Sequence, residues 1–70
     1  MGEDLGFIAR HGKTWLAHYG SGWTCSCEME SKAHGVELKV ASDRGVSTPE
    51  EAAAQCADRL RVALRAVGAA

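Results

Sequence analysis

Residues 23–30 read Trp23-Thr24-Cys25-Ser26-Cys27-Glu28-Met29-Glu30, and the alternation is strict across all eight. Trp, Cys, Cys and Met share one parity; Thr, Ser, Glu and Glu share the other. A period of two is the mark of a strand with one dry face and one wet face. The chain therefore holds a sheet that must be covered on one side. The cover is found downstream, where Thr48-Pro49-Glu50-Glu51 opens an amphipathic segment.

In that segment Thr48 suits the N-cap, Pro49 the first helical position and Glu51 the third, which makes a capping box. Glu50 and Glu51 lie at the positive end of the helix dipole, and Arg59, Arg61 and Arg65 toward the negative end. Ala53, Cys56, Ala57, Leu60, Ala63, Leu64 and Val67 recur on one face of a 3.6-residue repeat. The spacing predicts a helix over about 49–67, ended by Gly68, with Val62 on the exposed side. Its apolar face is mostly alanine, so the large buried side chains are expected from the sheet: Trp15, Trp23, Met29 and Leu38.

Further strands follow from the same alternation. Residues 36–41 place Val36, Leu38 and Val40 inward and Glu37 and Lys39 outward. Residues 14–19 place Trp15, Ala17 and Tyr19 opposite Thr14, Leu16 and His18, and the aromatic set is expected on the dry face with Leu16 exposed. Residues 5–10 alternate Leu5, Phe7 and Ala9, a weak first strand interrupted by Gly6. His11-Gly12, Gly20-Ser21-Gly22 (a three-residue hairpin loop) and Ser31 to Gly35 are read as turns. Loops this short join antiparallel neighbours. The fold class is α+β: a three- or four-stranded antiparallel β-meander with one C-terminal helix packed on one face, in a single domain over 1–70.

Size and charge narrow the function. Seventy residues lie near the lower limit for a single hydrophobic core, and self-association is a simple way to add buried area. The formal net charge is −1, from eight basic and nine acidic side chains, against the basic excess usual in non-specific nucleic-acid binders. No run of eighteen apolar residues is present, so no membrane span is expected. Met1-Gly2-Glu3-Asp4 lacks the basic-then-apolar pattern of a secretory signal, and a cytoplasmic location is expected. Ala, Gly, Arg and Val are abundant while Asn is absent. Those residues have GC-rich codons, which points to a high-GC bacterium or its phage.

The candidate chemistry is sparse. Cys25, Cys27 and Cys56 with His34 compose a Cys₃His set, but structural zinc sites use C-x₂₋₄-C knuckles in turns. Here two thiols sit in a core strand, where free cysteine acts as a small hydrophobe, so no metal and no cofactor are expected. Cys25 and Cys27 are about 6.5–7 Å apart at Cα on one strand, too far for an unstrained bridge. No nucleophile–base pair, nucleophile elbow or phosphate loop is present, and the expectation is no enzyme.

Arg10, His11, Lys13, Trp15, His18, Tyr19 and Trp23 interleave cations and aromatics, the pattern that stacks bases while holding phosphates. The same aromatics fit the dry face of the sheet. The candidate binding residues are Arg10, His11, Lys13, Leu16, His18 and Val62. The expected function is a small non-enzymatic protein-binding module, phage-encoded and directed at a host protein or at itself as a dimer. The alternative is a nucleic-acid-binding module using Arg10 to Trp23.

Residues 44–52, Arg44-Gly45-Val46-Ser47-Thr48-Pro49-Glu50-Glu51-Ala52, resemble the strand-to-helix junction of HicB-type antitoxins, where Gly-x-Thr-x-Glu-Glu-Ala follows a short meander. The resemblance covers some twenty residues. It implies a partial double-stranded-RNA-binding-like fold that neutralises a toxin by protein contact. The family's Pro-Asp-Leu-Pro-Gly turn is replaced by Ser-Lys-Ala-His-Gly, and a C-terminal DNA-binding extension is not expected. The length and Cys-x-Cys strand also look like small uncharacterised proteins of actinobacteria and their phages.

Overall fold

A computed structural model describes residues 2–31, 35–66 and 68. The elements are helix α1 (Gly2–His11), strands β1 (Lys13–Tyr19), β2 (Gly22–Ser31) and β3 (Val36–Ala41), and helix α2 (Pro49–Ala66). The strands form one antiparallel sheet in the order β1-β2-β3. Both helices pack on the same side of it, so the other side of the sheet is open. This is the α+β class expected, with three strands. Residues 32–34, which include His34, and Val67 lie outside the described residues. Among the described residues no helix is long and apolar enough to cross a membrane.

The expected strand over 5–10 is a helix instead. Leu5, Phe7 and Ala9 alternate, but Leu5 and Ile8 are also spaced for one helical face, and six residues satisfy both periods. Flanking charge favours the helix: Glu3 and Asp4 occupy the first turn, Arg10 and His11 the last. Tertiary packing completes the choice. Ile8 is fully buried, with Leu5 and Phe7 partly buried against the same core. Arg61 of α2 lies 4.5 Å above the Phe7 ring and 3.7 Å from Asp4. At the end of α1 the His11 imidazole donates from Nδ1 to the Phe7 carbonyl at 2.8 Å.

The helix α2 begins as the capping pattern requires, with the Glu51 amide donating to Thr48 Oγ1 at 3.2 Å. Ala52, Ala53, Cys56, Ala57, Leu60 and Leu64 are buried along one face, while Val62 is exposed. The core joins them to Ile8, Cys25, Cys27, Met29 and Val46, with Leu16, Trp23, Leu38 and Val40 partly buried around it. Ser42 is buried beside β2, accepting from the Cys25 amide at 2.9 Å and donating to the Asp43 carbonyl at 3.0 Å. From α2, Arg59 bonds the Ala41 carbonyl and pairs with Asp43 at 2.8 Å. Gln55 accepts the Asp43 amide at 2.9 Å. The connection from β3 to α2 is thus tied to the helix it precedes.

The faces of β1 are opposite to expectation, and the hairpin loop explains it. The loop has two residues, Gly20 and Ser21, because Tyr19 pairs with Gly22. A two-residue loop sets Leu16 against Cys25 and Thr14 against Cys27. A three-residue loop would have set Ala17 against Cys25, and a one-residue slip exchanges every side chain between faces. Leu16 therefore packs against the core, while Trp15 and Tyr19 stand on the open face.

Candidate protein interaction surface

The open face is built from the outward residues of three strands. Across it run the rows Lys13–Glu28–Lys39 and Trp15–Ser26–Ala41, followed by Ala17–Thr24. Glu30 opposes Glu37 at one end, and Tyr19 lies beside Gly22 at the other. Trp15 is 49% and Tyr19 62% exposed, the only large aromatics exposed among the described residues. Both belong to β1, an outer strand. Each presents a rigid apolar body with a polar tip, the side-chain type enriched at binding surfaces. Tyr19 also lines a shallow groove with Ser21, Thr24, Arg44 and Gly45.

The structure disperses the proposed cation–aromatic cluster. Lys13, Trp15 and Tyr19 share the open face. Arg10 and His11 belong to the end of α1, with His11 held by its bond to Phe7. His18 is on the helix side of the sheet, exposed at its margin, with its ring 4.8 Å from that of Trp23. Leu16 is partly buried against the core, a correction to its expected exposure. Val62 is exposed as expected, but on α2. The six candidate residues thus do not converge on one surface. The aromatic pair that makes the surface was visible as alternation; only its side of the sheet was misassigned.

The edge of β1 adds a second property. The Cys25 carbonyl accepts from the Ser42 amide and its amide donates to Ser42 Oγ. Trp23 exchanges both of its backbone bonds with Val46. Odd-numbered residues of β2 therefore direct their backbone groups toward β3 and even-numbered ones toward β1. On β1 the partners of the even-numbered residues are Lys13, Trp15 and Ala17. The amides and carbonyls of Thr14, Leu16 and His18 point away from the sheet. Among the described residues they have no backbone partner. The opposite edge differs: the outward Ala41 carbonyl of β3 is bonded by Arg59.

The cysteines form a separate, internal group. Cys25, Cys27 and Cys56 are free and buried, and burial raises all three thiols above their ordinary value. Cys56 is pushed up to about 12, chiefly by burial, with the neighbouring Cys25 adding to it. Among the described residues no group of three or more His, Cys, Asp or Glu is arranged to hold a metal ion. Protonated thiols in an apolar setting are poor nucleophiles and poor ligands.

An alkaline weakness follows. An unfolded Cys56 releases its proton near 9.0, a folded one near 12. The native state is favoured fully below the lower value and loses stability as pH rises between the two. The urea midpoint is expected to fall between about pH 8 and about pH 11, and to fall less in Cys56→Ala. An identical pH profile in that variant would assign the loss to other groups.

Comparison with protein-family models, with curated proteins and with solved structures gives no match. The fold and surface define a class by themselves: a small α+β domain with a two-helix cover on one side of a sheet and an aromatic, uncovered face on the other.

Proposed function

We propose that the protein is a small non-enzymatic protein-binding module whose contact surface is the open face of the sheet around Trp15 and Tyr19. The observation that carries this reading is the exposure of both aromatics on one face of an edge strand. Charges of both signs lie to one side of them: Lys13 and Lys39 flank Glu28, and Glu30 and Glu37 lie beyond. An exposed aromatic edge beside a mixed-charge patch suits a protein partner. The likeness of residues 44–52 to HicB-type antitoxins points to the same class, a protein that acts by contact. GC-rich residue usage makes a high-GC bacterium, as phage host, the place to seek the partner.

Nucleic acid is the second reading, favoured by the groove that Tyr19 shares with Arg44. One cation beside a stacking ring is a small fraction of the basic surface such binding uses. The N-terminus of α2, where a phosphate could be held, carries Glu50 and Glu51.

The test is affinity capture from a high-GC bacterial lysate, with and without nuclease, using the native chain and a Trp15→Ser/Tyr19→Ser variant. Both substitutions lie outside the core, so the variant is expected to fold. A stoichiometric protein that survives nuclease and is lost with the variant is the expected result. Capture abolished by nuclease would instead establish the nucleic-acid reading.

A further inference from the structure

We infer that β1 pairs antiparallel with β1 of a second copy, joining two three-stranded sheets into one continuous six-stranded sheet. This deepens the protein-binding reading by naming a partner for the edge of the same surface. The edge of β1 is bare. Thr14, Leu16 and His18 present backbone donors and acceptors outward with no partner among the described residues, and such an edge is a template for another strand. Natural edges are guarded by charge, proline, bulges or a covering element. The edge of β3 has Glu37, Lys39 and the Arg59 bond to Ala41. That of β1 has Trp15, Leu16, Ala17, His18 and Tyr19 in its middle and far end, with Lys13 its one lysine or arginine, at its start.

The strand also complements itself. An antiparallel two-fold pairing joins residues whose backbone groups point outward. Centred on Leu16, it sets Leu16 against Leu16 of the second copy and Thr14 against His18 of the second copy, and uses all three outward residues of each strand. Centring on Trp15 or Ala17 leaves one of the three unmatched. In the Leu16-centred register each Trp15 lies opposite Ala17 of the second copy, a large ring over a small side chain. Each Lys13 lies opposite Tyr19 of the second copy, a cation beside an aromatic ring. No like charges are directly opposed. On the helix side the two Leu16 side chains meet and extend the core across the seam.

One strand pair with two aromatics per copy buries less than the ~800 Å² per partner of a standard interface, so the dimer is expected to dissociate in the micromolar range. Sedimentation equilibrium of the native chain from about 1 μM to about 300 μM brackets that range. The expected result is a concentration-dependent rise from 7.4 kDa toward twice that mass. Two variants locate the seam. His18→Pro removes an outward amide at an edge position, where a folded monomer tolerates proline. Ala17→Arg fills the space beneath Trp15 of the second copy from the solvent side. Each is expected to weaken dimerisation at least about tenfold, a change of ~1.4 kcal/mol, with far-ultraviolet circular dichroism unchanged. Should His18→Pro unfold, Ala17→Arg decides.

A 7.4 kDa species throughout, or a dimer equally tight in the folded variants, would overturn the inference. A monomer that still captures a nuclease-resistant protein overturns the dimer and leaves the protein-binding reading standing. A native chain that dimerises but captures no nuclease-resistant protein does the reverse.

Discussion

Gly22→Ala is expected to lower stability by about 3 kcal/mol, enough to unfold a large fraction of a domain whose total stability is on the order of 5 kcal/mol. Two effects act together. Gly22 has φ +141°, a region that side-chain-bearing residues rarely occupy. A Cβ there would also lie 2.7 Å from the Gly45 carbonyl carbon, 2.7 Å from the Val46 oxygen and 2.9 Å from the Gly45 Cα. All three are backbone atoms and cannot rotate aside. They belong to the connection between β3 and α2, which Trp23 and Val46 hold to the start of β2 by bonds of 2.8 and 3.1 Å. Relief of the clash would break that seat. Gly20→Ala is the control, because a Cβ at Gly20 meets nothing within 4 Å. Urea unfolding followed by tryptophan emission should separate the two, and equal losses would refute the close approach as the cause.

Leu60→Ala carries the second large effect, about 3–4 kcal/mol. Leu60 is fully buried, and with Ile8 it is among the largest fully buried side chains. The cost of deleting it depends on whether neighbours can collapse into the space. On its own helix the buried residues one turn away are Cys56, Ala57 and Leu64. Ala57 has no rotamers with which to fill a cavity and Cys56 is small, so the helix itself closes little of the space. Thermal unfolding of Leu60→Ala beside Val62→Ala, an exposed position on the same helix, reads the difference. Alanine is the better helix former at both positions, so a Val62→Ala loss of similar size would refute the cavity as the cause.

Two elements were legible in the sequence because one period ran long enough to exclude the other. Eight alternating residues define β2, and α2 repeats its apolar face over four turns with a cap at its start. The stretch 5–10 is too short for such exclusion. It satisfies two periods, and contact with α2 through Ile8, Phe7 and Arg61 decides for the helix. β1 failed differently: its strand state was clear, but alternation names two sets without saying which is buried. That choice rests on register, register on the loop, and the loop on whether Gly22 belongs to the turn or the strand. Trp15 and Tyr19 form the heavier apolar set, so hydrophobicity alone selects the wrong face. For the same reason the candidate surface was hidden, since its two aromatic residues read as core.

The connectivity also orders the assembly of the chain in time. Closing a loop costs more entropy as it lengthens, and pairings near in sequence form sooner. The two-residue turn makes the β1–β2 hairpin the least costly pairing available, with β3 and then α2 adding to it. The contact of α1 with α2 joins opposite ends of the chain and closes the longest loop of all. Since α1 buries a single fully enclosed side chain, Ile8, it is expected to dock last and to open first. The meander and α2 form a cooperative unit that α1 completes rather than founds.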